Sequence, residues 1–142
     1  MSIDTIFLRR CITSLERALE GIQEFGIAKD DVMRDIYRAA CVKEFELVLE
    51  QSGKLLRKRL GAYFASNRQA DRLTFKDLFR HAAHHDLIEC DAVERWLGYR
   101  DNRNDTAHDY GKDFAETTLK LLPSFIADAK ALAEVIEGAE DG

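Results

Sequence analysis

The chain has 142 residues, 46% of them hydrophobic and 33% charged, which is enough for one domain with a sizeable core. A single proline and eight glycines leave little room for a loop-rich or all-β fold. The net charge of −5 argues against a broad, nonspecific nucleic-acid footprint but leaves room for a local basic groove.

The opening MSIDTIFLRR lacks the apolar core of a signal peptide, and no stretch approaches the ~18 uninterrupted apolar residues of a membrane span. Cys11, Cys41 and Cys90 are widely spaced and read as small buried residues in a reducing compartment. The expected location is the cytoplasm, with no membrane partner.

Ile3, Phe7, Cys11, Leu15, Ala18, Ile22 and Phe25 recur at three- and four-residue spacing, one face of a first helix that Gly26 punctuates. From about Asp30 a longer helix carries Val42, Phe45, Leu49, Leu56, Leu60 and Tyr63, with Cys41, Val48 and Leu55 widening its stripe. A stripe that broad predicts contact on more than one side, as in a bundle. Near its end KLLRKRL sets Lys54, Arg57, Lys58 and Arg59 around most of the circumference. That pattern reads as a solvated face whose aliphatic stems cover the core, with a local RNA or partner contact as the functional alternative. The helix is expected to end near ASNRQADR.

Thr74 followed by Asp77 resembles a capping box opening a short third helix with Phe75, Leu78, Phe79 and Ala82 inside. Within it, HAAHH places His81, His84 and His85 on helical spacing, with Asp86, Glu89 and Cys90 close in sequence. No H-E-x-x-H motif accompanies them, so a solvated or interface face is expected and no metal. Asp91 and Glu94 repeat the capping signature for a fourth helix whose Val93, Trp96 and Leu97 face the core. Gly111 breaks the chain before a last helix marked by Phe114, Thr118, Leu122, Phe125, Ala129, Leu132 and Ile136, which Pro123 should kink or split. No segment alternates with period two. The expected fold is all-α, an antiparallel up-and-down bundle of four long helices plus one short, in a single domain over 1–137 with a frayed tail at 138–142.

The fourth helix is odd at its end. Its core face continues into Arg100, Asn104 and His108, with Ala107 alongside, so the stripe turns polar in RDNRNDTAHDY. Burying such groups without partners costs on the order of 1–3 kcal/mol each. They must pair with one another, line a cleft or subunit interface, or run out into solvent. Arg103 and His108 stand about 140° apart on an ideal helix, so a regular helix does not converge them. Distortion or an end of the helix, the reach of the arginine, or a meeting of two chains would. Arginine suits phosphate oxygens and histidine moves protons near neutral pH. Together they can cleave RNA without metal, the base activating a ribose 2′-hydroxyl and the cation steadying the phosphorane.

Read as R-N-x-x-x-H-x-Y, Arg103, Asn104, His108 and Tyr110 resemble the signature of the HEPN superfamily, in particular the HEPN toxins paired with minimal nucleotidyltransferase (MNT) antitoxins. The layout also resembles the neighbouring nucleotidyltransferase substrate-binding protein family. The resemblance implies a metal-independent endoribonuclease with no cofactor, catalytic Arg103 and His108, a supporting Asn104, and a site at a homodimer groove. It also implies that Tyr110 is the residue a partner MNT nucleotidyltransferase modifies with AMP. An added AMP phosphate would lie close in sequence to Arg100 and Arg103, and Arg100 is a candidate RNA or phosphate contact. The substrate-binding relatives imply another class, a non-enzymatic subunit that presents substrate to the nucleotidyltransferase. The chain has no Gly-rich phosphate loop, no G-x-S-x-G and no G-S followed by D-x-D, so it is not expected to transfer nucleotides itself.

Overall fold

A computed structural model describes residues 3–27, 31–106 and 112–138. Six α-helices and one 3-10 turn account for nearly all of them, and no strand occurs among the described residues. The all-α expectation holds. The helices are α1 (Ile6–Ile27), α2 (Asp31–Leu60), α3 (Asn67–Asp71), α4 (Phe75–His84), α5 (Cys90–Thr106) and α6 (Lys112–Glu137), with the 3-10 turn at Gly61–Tyr63.

Cross-helix pairs give the directions. Arg9 meets Glu137 and Glu16 meets Lys130, so α1 and α6 are antiparallel. Arg38 meets Glu116 and Phe45 meets Phe125, so α2 and α6 run the same way. Asn102 meets Thr118 and Tyr99 meets Ser124, so α5 opposes α6. The four long helices therefore alternate up and down, and α4 packs against α2 and α5. One end of the bundle gathers the start of α2, the end of α5 and the start of α6.

The apolar stripes of α2 and α6 fall largely where their periodicity places them: Cys41, Phe45, Val48, Leu49, Leu55, Leu56 and Leu60 are buried, as are Thr118, Leu122, Phe125, Ala129, Leu132 and Ile136, while Val42 is half-buried and the Phe114 side chain lies outside the described residues. Trp96 is core, at 1% exposure. On α1 the buried face is Leu8, Cys11, Ile12, Leu15 and Ala18, while Phe7 is half exposed. Phe7 lies at the margin of that stripe in the first turn, where Thr5 and Arg9 meet the last turn of α6 instead.

Other expectations are corrected. Tyr63 falls past the end of α2 and is exposed. The region after it holds an additional helix, α3, because Ser66 Oγ accepts from the Gln69 amide at 3.3 Å while Gln69 Oε1 accepts from the Ala65 amide at 3.1 Å. Arg57 is not a solvated cation: its Nη1 donates to the Ala70 and Leu73 carbonyls at 2.6 and 2.9 Å, tying the α3–α4 link onto α2. Thr74 caps α4 as expected, its hydroxyl accepting from the Asp77 amide at 3.1 Å. Asp91 does not cap α5, which already begins at Cys90, and lies within its first turn. Helix α6 passes through Pro123 unbroken. Cys11 and Cys41 are buried but Cys90 is exposed. Burial pushes the Cys41 thiol up to about 12, so it stays a protonated, inert core group.

At the far end of the bundle Glu137 closes the first helix onto the last. It accepts from Thr5 Oγ1 at 2.6 Å and from Arg9 Nε and Nη2 at 2.9 and 2.6 Å. The Arg9 guanidinium, with help from Thr5, holds the Glu137 carboxyl at about 2, against an ordinary 4.5. A lowered carboxyl contributes stability that is full above its ordinary value and is lost as the pH falls through its folded value. Solvent screening keeps that contribution modest, since both side chains are over a third exposed. Urea unfolding midpoints of wild type and Glu137→Gln should therefore differ most above pH 4.5 and converge as the pH falls to about 2. A constant difference across that window would mean that the ionised carboxylate is not what joins α1 to α6.

Candidate functional site

The polar end of α5 begins with a residue that serves both core and network. Tyr99 is 2% exposed, its ring set edge-on to Phe125 with centroids 5.0 Å apart. Its hydroxyl donates to Asp128 Oδ2 at 2.6 Å and lies 2.6 Å from Ser124 Oγ, which is left to donate to it. Arg95 Nε and Nη2 grip the two Asp128 oxygens at 2.8 and 2.9 Å. Burial, reinforced by the bond to Asp128, pushes the Tyr99 phenol up to about 12. It is a fixed donor, not a base. The Asp128 carboxylate raises the Arg95 guanidinium further still. Fork and phenol converging on one carboxylate lock the register of α5 on α6.

One turn on, Asn102 donates its amide to Thr118 Oγ1 at 3.1 Å, and Thr118 is fully buried. Arg100 lays its guanidinium over the Phe75 ring, 5.2 Å from the centroid, so α5 also clasps the start of α4. Lys76 pairs with Asp101 at 2.9 Å beside it. Arg103 is half-buried, three residues on from Arg100 and so on the same side of the helix. The structure thus brings together two of the residues singled out in the sequence, Arg100 and Arg103. Asn104 continues α5, but its side chain lies outside the described residues, as do His108 and Tyr110 entirely.

Sequence reasoning missed the cations that α2 brings to this end. Arg38 Nη2 donates to Glu116 Oε1 at 3.0 Å and Nη1 to Asp35 at 3.2 Å, while Arg34 stands 3.6 Å from the same Glu116 oxygen. The Nε atoms of Arg34 and Arg38 are buried without a hydrogen-bond partner. Glu116 and Thr118 lie two residues apart, hence about 200° around α6, so α2 and α5 flank its early turns from opposite sides. The i, i+4 spacing of Arg34 and Arg38 was visible in the sequence; that α6 would answer them with one glutamate was not. Tyr99 was missed for a similar reason. It follows Trp96 by three on the same stripe, so its burial was legible, but nothing along the chain marks Asp128 as the acceptor of its hydroxyl.

Such an arrangement, a rigidly registered helix presenting arginines at one end of a bundle, can bind anionic groups. Among the described residues no three histidine, cysteine, aspartate or glutamate side chains gather as a metal site would require. None of the described helices is long and apolar enough to cross a membrane.

The chain belongs to the family described as "Nucleotidyltransferase substrate binding protein like", whose model matches residues 5–137. That membership bears out the likeness drawn from the motif and the helical layout. A relative from Haemophilus influenzae named "Probable ribonuclease HepT" is 28% identical over 103 residues, covering 72% of this chain and 69% of that protein. A solved structure from Haemophilus influenzae, reported to reveal the fold of a substrate binding domain of a nucleotidyltransferase, aligns with a TM-score of 0.83 at 25% identity, over 94% of this chain and 98% of that one. A Thermus thermophilus protein shares the fold at a TM-score of 0.61 and 23% identity, over 86% of this chain and 98% of its own.

The Tyr99 network yields a direct test. Tyr99→Phe keeps the ring and removes the hydroxyl, leaving Ser124 without its acceptor and Asp128 short of a donor. Urea denaturation should show a loss of about 0.5–1.5 kcal/mol, the net worth of hydrogen bonds whose partners are exposed or still held by Arg95. A neutral result would mean that Arg95 alone holds Asp128 and that Tyr99 is only core.

Proposed function

We propose that the chain is a HEPN-type toxin, a metal-independent endoribonuclease of a toxin–antitoxin pair, working in the cytoplasm as a homodimer of one helical domain over 1–137. The observation that carries this reading is the motif Arg103-Asn104-x-x-x-His108-x-Tyr110 on and just beyond the polar helix α5, in a chain whose Haemophilus influenzae relative is named a probable ribonuclease. In this reading His108 takes the proton of a ribose 2′-hydroxyl. The freed oxygen attacks the adjacent phosphorus, the 5′ oxygen leaves and takes up a proton, and a 2′,3′-cyclic phosphate remains. Arg103 holds the phosphorane oxygens, Asn104 orients the pair, and Arg100 meets a neighbouring phosphate. Two chains meeting at this end of the bundle would let Arg103 of one face His108 of the other, which resolves their 140° separation on an ideal helix of about 3.6 residues per turn.

Purified protein should then cleave RNA in the presence of EDTA. His108→Ala should cost on the order of 10²–10⁴ in rate, the usual worth of a general base. Equal cleavage by wild type and variant would remove the nuclease reading. The second reading would then stand, a non-enzymatic subunit that binds substrate for a partner nucleotidyltransferase; it is favoured by the family's description and by the reported fold of the Haemophilus influenzae structure.

Tyr110 is the proposed switch. A phenol with a reference pKa of about 10 is a poor nucleophile at neutral pH, so its attack on the α-phosphate of ATP, releasing pyrophosphate, needs an enzyme. An MNT-type nucleotidyltransferase partner would supply it. The AMP phosphate would offer Arg100 and Arg103 an anion that competes with RNA. Co-expression with such a partner should add AMP to the peptide containing Tyr110, as read by mass spectrometry, and abolish cleavage. Tyr110→Phe should keep cleaving and escape the control. Modification at another residue alone would overturn the switch.

A further inference from the structure

The charge of this chain is distributed very unevenly. Residues 54–85 hold eight lysines and arginines against two aspartates, a net of six positive charges in a chain of net −5, so everything else carries −11. The fold gathers that segment on one flank, since the 3-10 turn, α3 and α4 each pack on α2, and Phe64 meets His81 edge-on at 5.2 Å. Arg57 is spent on backbone carbonyls, Lys76 on Asp101 and Arg80 on Asp77. Lys54, Lys58, Arg68 and Arg72 are exposed.

Among these cations lies an outward aromatic stack. The rings of Tyr63 and His85 are 4.1 Å apart and 17° from parallel, and Tyr63 is 42% exposed. The Arg59 guanidinium stands 5.6 Å from the Tyr63 centroid, and the exposed His84 meets His85 edge-on at 5.2 Å. Neither Tyr63 nor His85 belongs to the buried core. A part-exposed tyrosine, stacked on a histidine and with an arginine over its ring, has the chemistry of a nucleobase platform once Arg59 swings from the ring to a phosphate: every base has a π-face, and arginine and lysine take the phosphates between.

The flank is continuous with the end of α5. Helix α4 starts at Phe75, which carries Arg100 on its ring, and ends at His84, beside the stack. Ten residues of helix span about 15 Å, a distance that a short run of single-stranded nucleic acid can bridge.

We propose that the α2–α4 flank is a binding surface for single-stranded RNA, on which bases stack against the Tyr63–His85 pair while the backbone follows Lys58 and Arg59 and runs along α4 towards Arg100. The assignment deepens the ribonuclease reading and rests on it for the choice of RNA as ligand. It would hold the strand away from the scissile bond and so select substrates with an unpaired stretch on one side of the cut. An acidic protein partner would match the charge but has no use for a part-exposed aromatic stack. That asymmetry favours RNA.

The test is fluorescence anisotropy with a labelled short oligouridylate, on a His108→Ala background so that binding is read without cleavage. Tyr63→Ala should weaken binding on the order of 5–150-fold, the range for loss of one base–aromatic stack, and Tyr63→Phe should restore it. Lys58→Gln should lower the slope of log affinity against log salt by about 0.7. Circular dichroism should find all three folded, since both positions are exposed. Unchanged affinity in Tyr63→Ala, absence of any oligouridylate binding, or equal loss in Tyr63→Phe would each overturn the platform. Tyr63-dependent binding by a wild type that cleaves nothing would keep the platform and remove the nuclease. Cleavage that survives Tyr63→Ala alongside unchanged affinity would do the reverse.

Discussion

Phe125 stands where three helices meet, and the placement of the polar end of α5 depends on it. Its fully buried ring lies edge-on to Phe45 of α2 at 4.7 Å and to Trp96 and Tyr99 of α5 at 5.7 and 5.0 Å. Phe79 of α4 then stacks on Trp96 at 4.7 Å. Each such pair adds roughly 0.5–1.5 kcal/mol beyond its buried area, and the geometry is directional, so the cluster sets orientation as well as cohesion. Tyr99 is the hinge of the arrangement: its ring belongs to the apolar cluster and its hydroxyl to the Asp128 network. A single residue therefore fixes α5 from both sides, one turn before Arg103.

That arrangement explains how a helix can end in arginines, asparagines and acids without unravelling the bundle. The described part of the polar run is not abandoned to solvent. Asn102 is satisfied by Thr118, Arg100 by the face of Phe75, and Asp101 by Lys76. These contacts are individually small, and the exposed ion pairs among them contribute about 0–1 kcal/mol each. Their effect is positional. They hold the backbone of α5 so that side chains not needed for packing can be offered to a ligand, as the proposed chemistry of Arg103 and its neighbours requires.

The same economy governs the cations of α2. At its start Arg34 and Arg38 share Glu116; near its end Arg57 secures the link between α3 and α4, and Arg59 stands by Tyr63. One helix thus contributes positive charge to both ends of the molecule, although the chain as a whole is acidic. Net charge describes long-range repulsion and solubility; it does not describe what a ligand meets locally.

The sequence by itself determined whatever depends on neighbours along the chain. The stripes of α2 and α6, the Thr74 cap and the burial of Trp96 follow from a period of 3.6 and from hydrogen bonds spanning three residues, both of which are written linearly. The Arg103–Tyr110 string is linear too, which is why the family likeness could be drawn from it, and the Ser66–Gln69 cap of α3 was equally legible though passed over. Only the tertiary structure decided which polar residues would be taken inside. Arg57 finds carbonyls 13 and 16 residues away, Tyr99 finds a carboxylate 29 residues on, and Arg38 finds Glu116 across 78 residues. Such partners leave no periodic trace, because a polar side chain is satisfied by whatever donor or acceptor the packing of helices brings to it, and that is set by the apolar core rather than by the residues beside it.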